Sequence, residues 1–383
     1  MKVGWTVRTL SEVCEFERGL TYSKNDEVEF SRNAVLRANN IDSARSQLDL
    51  RDIRYISDSV IVPTSKKVKL GSIIICTASG SKSHLGKVAF VDKPNDYAFG
   101  GFMGQITARQ CVLPRYLFRA LTTSSYNEFI RGLADGININ NLKFDDLRRF
   151  ELPVPPLPEQ QRIVAILDEA FEGLALAAAN AEKNLKNARD LLRVYIRSSL
   201  ELMDDGWIEA ELGDICELYL PRTISKSEMT VDGDYPVFGA NGLIGRYHEY
   251  NHEESQLLVT CRGATCGSIN VSPEKCWVTG NSMVVQPRSS AILRDFLEYT
   301  LRFYVDFSEV ITGSAQPQIT RQSFAPYVIR FPSSQTEQAR LVDAFRSIEA
   351  GTGDLATTYQ RKLQDITQLK QSLLAKAFAG DLT

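Results

Sequence analysis

The chain has 383 residues, 43% of them hydrophobic and 24% charged, with a formal net charge of −3. This is ordinary for soluble globular proteins and long enough for two or three domains, and the overall charge does not by itself mark a nucleic-acid binder. No apolar run approaches the ~20 residues that a bilayer span requires. The N-terminal Met-Lys-Val-Gly-Trp-Thr-Val-Arg has no signal-peptide apolar region, and the odd count of seven cysteines suits free thiols, so a cytoplasmic protein is expected.

In chain order, residues 1–153 read as a mixed α/β block. Val68–Thr77 and Gly86–Asp92 are strand candidates, and between them lies the polar loop Ala78-Ser-Gly-Ser-Lys-Ser-His-Leu85. Pro114–Leu121 follows as a short amphipathic helix opened by proline. Residues 61–90 contain five lysines (66, 67, 69, 82 and 87) and no acid, which makes a local basic patch.

Four prolines between Pro153 and Pro158 end this block, because they lack N–H donors and hold their predecessors extended. Behind them, apolar or small residues recur at 163, 167, 170, 174, 177, 181, 185, 188, 192, 195, 199 and 202. These steps of three and four predict a helix with one buried seam over 154–203. Residues 159–214, from this helix into the start of the next block, carry twelve Asp/Glu against six Lys/Arg, which places negative charge away from the lysine-rich stretch.

The plan then repeats. Gly4-Trp5 and Leu10-Ser-Glu-Val-Cys-Glu15 match Gly206-Trp207 and Leu212-Gly-Asp-Ile-Cys-Glu217 at a constant offset of 202. Gln256–Ile269 repeats the strand–loop–strand, residues 293–304 the short helix, and Gln316–Thr320 the polar segment Gly136–Asn140. Phe331-Pro-Ser-Ser-Gln-Thr-Glu-Gln-Ala-Arg-Leu-Val342 repeats the proline-led entry to a helix. Its Ser334-x-x-Glu337 is a capping-box pattern. The expected organisation is thus 1–153, a helix over 154–203, a second block 204–332 and a second helix over 333–383. The second helix has its apolar seam at 341, 345, 348, 355, 366, 369, 373 and 377, and Gly351 and Gly353 are expected to kink or break it. Helices of this length with one apolar seam need a partner, and connectivity requires the two to pair antiparallel. The fold class expected is α+β, with two pseudo-repeated α/β domains separated by two long antiparallel coiled-coil helices.

Several chemistries fail on spacing. Gly80-x5-Gly86-Lys87-Val88 has five residues between its glycines where a Walker loop has four, and valine where that loop has Ser/Thr. His248-x3-His252 with Cys261, Cys266 and Cys276 lacks the paired-cysteine knuckle of structural zinc sites, so buried thiols are the simpler reading. No GxSxG elbow and no dinucleotide glycine fingerprint are present. The repeated loops instead carry hydrogen-bonding and phosphate-contact side chains. In the first block these are Ser79, Ser81, Lys82, Ser83, His84, Lys87, Asn138, Asn140, Asn141 and Lys143. In the second they are Arg246, Arg262, Thr265, Ser268, Gln316, Gln318, Thr320 and Arg321. Asn and Gln complement adenine, Arg and Lys complement guanine, and Ser, Thr and Lys hold phosphate. Any one of them alone would be an ordinary surface residue; their recurrence at matched places points to DNA contact.

Leu152-Pro-Val-Pro-Pro-Leu-Pro-Glu-Gln-Gln-Arg-Ile-Val164, its echo Thr336-Glu-Gln-Ala-Arg-Leu-Val342 and the ending Leu369-Lys-Gln-Ser-Leu-Leu-Ala-Lys-Ala-Phe-Ala-Gly-Asp-Leu382 resemble the specificity subunit of Type I restriction–modification systems. The likeness covers the whole chain, although Ser333–Thr336 replaces most of the prolines in the second repeat. It implies a non-catalytic subunit in which two target recognition domains read a bipartite, asymmetric double-stranded DNA target. The paired helices act as spacer and docking surface for two adenine-N6 methyltransferase subunits, with restriction/translocase subunits as further partners. No cofactor is expected in this chain: S-adenosylmethionine belongs to the methyltransferase subunit, and ATP and Mg to the restriction subunit. The competing reading is a coiled-coil protein-interaction scaffold without DNA readout.

Overall fold

The computed structural model describes residues 2–42, 45–135, 141–202, 206–288, 290–313 and 316–382, with Lys82 and Asp135 in backbone alone. Two compact units emerge: residues 1–180 with 362–383, and residues 181–361. Each long helix therefore contributes to both units.

In the first unit a four-stranded antiparallel sheet has the spatial order Cys14–Arg18, Met103–Ala108, Ile73–Cys76, Val88–Phe90. Ile73, Ile74, Ile75 and Cys76 are all buried, as expected for a strand covered on both faces. A second four-stranded sheet contains Asn33–Leu36, which runs parallel to the short strand Ala98–Phe99. Thr6–Thr9 pairs antiparallel with Glu151–Val154, so Pro153 lies in a two-stranded ribbon.

The second unit repeats the scheme. Its four-stranded sheet has the order Cys216–Tyr219, Ser282–Pro287, Leu257–Thr260, Ile269–Val271. Tyr235–Gly239 runs parallel to Trp277–Val278, and Trp207–Glu211 pairs with Val328–Pro332. The short helices expected near 114 and 293 are Pro114–Ala120 and Arg294–Phe303.

The long helices span Leu157–Glu201 and Gln335–Ala379, 45 residues each. In the first unit Ile163, Leu167 and Phe171 share one core with Leu374 and Ala377 from the other helix. In the second, Ile196 and Leu200 share a core with Val342 and Phe345. Within each unit the start of one helix thus packs with the end of the other, which is antiparallel pairing. Of the expected seam, Ile163, Leu167, Ala181 and Ala188 are buried, with Phe171 added, while Ala177 is exposed; beyond Ala188 the seam drifts. Ile196 and Leu200 are buried, whereas Tyr195 and Leu202 are exposed. A strict 3.5-residue repeat falls behind a 3.6-residue helix by ~20° per heptad, and the globular cores at the helix ends select the true facing residues.

The expected break at Gly351–Gly353 does not occur: the second helix is continuous through it. Glycine retains its N–H and C=O, so it weakens a helix without removing a hydrogen bond. The buried Thr352 between the two glycines also returns its hydroxyl to the carbonyls of Ile348 (2.8 Å) and Glu349 (3.1 Å). A Cβ at either glycine would meet nothing within 4 Å. Gly351→Ala and Gly353→Ala are therefore each expected to raise stability by about 1 kcal/mol, measured as a higher denaturant midpoint at unchanged slope. A loss of stability would mean that the helix uses its glycines.

The motif Glu-Gln-x-Arg fastens each helix to its unit. Gln160 and Gln338 are both fully buried. The Gln160 amide accepts from Leu113 N (2.8 Å) and donates to the carbonyls of Cys111 (3.1 Å) and Pro155 (2.8 Å). Gln338 does the same with Leu293 N (2.7 Å), Ala291 (2.8 Å) and Pro332 (2.7 Å). One step earlier, Glu159 pairs with Arg162 and Lys2, which hold its carboxyl down at about 2, with Arg162 the larger cause. Arg162 also donates to Leu382 O at 2.9 Å, tying the helix start to the chain's last turn. Ser334 accepts from Glu337 N at 3.4 Å, while Glu337 directs its carboxylate to Arg340 (2.8 and 2.6 Å).

Candidate nucleic-acid interface

In each unit the loop that joins a central strand of the four-stranded sheet to its edge strand (Ile73–Cys76 to Val88–Phe90, Leu257–Thr260 to Ile269–Val271) is clasped by a later segment. In the first, Ala78 bridges Asn141, and Leu142 N donates to Thr77 O at 2.7 Å. In the second, Arg262 bridges Gln318, and Ile319 N donates to Cys261 O at 3.0 Å. This pairing matches Asn141 with Gln318 and places Lys143 and Thr320 at the same point, the N-cap of a one-turn helix. Of the polar residues singled out in the sequence, those of the loop and of the clasping segment that the structure describes lie on a two-segment edge, once in each unit; Arg246 lies on the separate strand Gly242–Tyr247.

Their states differ. In the first unit Ser81, Ser83, Asn141 and Lys143 are exposed, and Ser79 and His84 are half-buried. Ser79 Oγ accepts from Ser81 N (3.2 Å), and the hydroxyls of Ser81 and Ser83 lie 2.8 Å apart. Lys87 donates to Nδ1 of His84 at 3.1 Å, which requires that nitrogen to be unprotonated. The Lys82 side chain, Asn138 and Asn140 lie outside the described residues.

In the second unit Arg262, Thr265, Gln316, Gln318 and Arg321 are exposed and Ser268 is half-buried. Thr320 is committed to its helix, accepting from Ser323 N at 3.1 Å. Arg246 is also committed, with its guanidinium bonded to the carbonyls of Gly233 and Asp234 across the turn that its strand packs on.

The five-lysine run is partly neutralised. Lys66 pairs with Glu17 and Lys67 with Asp96, each at 2.5 Å, so acids distant in sequence neutralise two of the five charges. Burial pushes the thiols of Cys76 and Cys261 up to about 11, so they sit in the core as protonated thiols. Among the described residues no group of three or more His, Cys, Asp or Glu side chains gathers as a metal site.

Sequence reasoning missed one part of this edge. In the first unit a cleft of about 650 Å³ opens beside the loop, lined among others by Tyr22, Arg37, Asn39, Ser79, His84 and Phe102. Phe102 is 71% exposed, at the turn between Ala98–Phe99 and Met103–Ala108. In the second unit Asn241 reaches the corresponding loop directly, donating to Thr265 Oγ1 at 2.6 Å. The signal was present, because Ala38-Asn39 and Ala240-Asn241 stand at the same 202-residue offset as the repeat starts.

A repeated unit of sheet, polar two-segment edge and long paired helix defines a class of duplicated recognition proteins. The model of the Type I restriction modification DNA specificity domain matches residues 2–186 and again 204–365. The EcoKI specificity subunit of Escherichia coli (strain K12) is 32% identical over 99% of this chain and 89% of its own length. The StySPI specificity subunit of Salmonella potsdam is 27% identical over the same shares. A chain from a solved type I R-M system superposes with a TM-score of 0.81 at 20% identity, covering 100% of this chain and 99% of that one. The chain belongs to the family of type I restriction–modification specificity subunits, whose work is DNA target recognition.

Proposed function

We propose that this chain is a non-catalytic subunit that reads a bipartite, asymmetric DNA target. Residues 1–153 recognise one half-site and residues 204–332 the other. The helices over 154–203 and 333–383 set the number of unread pairs between them. Their exposed faces dock two adenine-N6 methyltransferase subunits, which bring S-adenosylmethionine, and restriction subunits using ATP and Mg join the same assembly. Phosphate and base contacts come from the exposed members of the two edges: Ser81, Ser83, Asn141 and Lys143 on one half-site, Arg262, Thr265, Gln316, Gln318 and Arg321 on the other.

The observation that carries this reading is the recurrence of the clasped loop, Ala78 with Asn141 and Arg262 with Gln318, with different side chains in the two units. Equal geometry with unequal chemistry is what an asymmetric target requires. A scaffold that bound one protein at both ends would need the same chemistry twice.

The test is to express the chain with its methyltransferase subunit in a methylation-free host and map modified adenines by single-molecule sequencing. One split, asymmetric motif is expected. Exchanging residues 1–153 for the block of another family member should change one half of that motif and leave the other intact. Random or absent modification by a soluble, assembled complex would sink the reading, as would a block exchange that altered both halves.

A further inference from the structure

The proposed DNA readout leaves open which side chains distinguish bases from phosphates, and two asparagines bordering the recognition loops have the placement for it. Asn39 and Asn241 each follow a strand that runs parallel to a short neighbour, Asn33–Leu36 beside Ala98–Phe99 and Tyr235–Gly239 beside Trp277–Val278. Both are exposed. Both have one amide N–H anchored: Asn39 donates to Asp52 Oδ2 at 2.7 Å, and Asn241 to Thr265 Oγ1 at 2.6 Å. Each then retains a second N–H donor and a carbonyl acceptor, the complement of adenine N7 and N6–H in the major groove.

Each asparagine is also held by a rigid support. In the first unit the neighbouring Asn40 is fully buried and ties the turn down, donating to the carbonyls of Asp49 (2.8 Å) and Asp52 (2.9 Å) and accepting from Arg37 N (2.8 Å). In the second, Thr260 Oγ1 and Asn270 Nδ2 both donate to Ala240 O, and Gly242 (φ +126°) supplies the backbone turn that an L side chain rarely adopts. A base-reading group needs its geometry fixed before DNA arrives, and these two have it. Beside Asn39 the exposed Phe102 ring offers an apolar face of the kind that packs on a thymine methyl.

We infer that Asn39 and Asn241 are specificity-determining residues, each reading one base pair, Asn39 in the half-site of the first unit and Asn241 in that of the second. The inference rests on the proposed DNA readout and assigns its direct base contacts.

The experiment maps methylation by the wild-type chain, Asn39→Ala and Asn241→Ala, each co-expressed with the methyltransferase subunit. Asn39→Ala should relax discrimination at one position of one half-site, on the order of ten- to a hundredfold in modification of the wrong base. Asn241→Ala should do the same in the other half-site, and thermal unfolding of both variant complexes should match wild type. An unchanged motif in both variants overturns the inference while the DNA-readout function stands. Uniform loss of methylation from an intact complex also overturns it, because a phosphate or assembly contact would then have been removed. If the wild-type complex itself shows no sequence preference, it is the function reading that fails.

Discussion

Gln160→Leu and Gln338→Leu are each expected to lower the stability of their unit by about 3 kcal/mol, although neither residue touches a candidate DNA-contact group. The leucine matches the glutamine closely in size, so the loss is not one of volume. It comes from backbone groups that lose the side-chain amide as their partner: Leu113 N with the carbonyls of Cys111 and Pro155 in one unit, Leu293 N with the buried contact to Pro332 O in the other. Each unsatisfied buried polar group costs about 1–3 kcal/mol. For units of this size that corresponds to a fall of roughly 6–12 °C in midpoint temperature. The neighbouring Gln161 is exposed, so Gln161→Leu should stay within about 0.5 kcal/mol. The check is thermal unfolding of the three variants against wild type. Equal behaviour of Gln160→Leu and Gln161→Leu would show that the buried amide contributes nothing.

These glutamines explain why the repeat could be read from the chain. Proline-led entry and Glu-Gln-x-Arg recur because the same three backbone groups must be satisfied where a strand hands over to a helix, and only one side-chain amide at that position satisfies all three. The strand–loop–strand cores were legible for a similar reason: Ile73–Cys76 and Leu257–Thr260 are buried on both faces and read as continuous apolar runs. What depended on distant partners was not legible. The ion pairs Lys66–Glu17 and Lys67–Asp96 span 49 and 29 residues, so the lysine run looked more basic than it is. Gly351 and Gly353 looked like a break because propensity favours one, by about 1 kcal/mol per glycine. Packing of Val342, Phe345 and Leu374 into the cores keeps the helix whole. Arg246 and Thr320 looked like free contact groups because nothing local reveals that a turn carbonyl or a helix cap already holds them. Asn39 and Asn241 were the reverse case: their equal offset was visible, but only strand pairing shows that they border the recognition loops.

The continuity of the second helix also sharpens the spacer reading, since a ruler that bent at residue 351 would not transmit an added length. Inserting four residues into both long helices, between Asn180 and Ala181 and between Arg361 and Lys362, is expected to lengthen the unread gap by one or two base pairs and leave both half-sites unchanged. Four residues add ~6 Å of rise and turn the following helix by ~40° beyond one full turn. That turn is small against an apolar stripe ≳100° wide, so each helix still buries its seam. The duplex advances ~3.4 Å per pair, so the added rise matches one to two pairs, which also rotate the second half-site in the same right-handed sense. Insertion into one helix alone should instead destabilise the chain, because the antiparallel pairing within each unit fixes where the other helix begins and ends. Methylation mapping of the double insertion decides the matter. A motif with the wild-type gap would show that contacts to partner subunits, and not the helices of this chain, set the distance between half-sites.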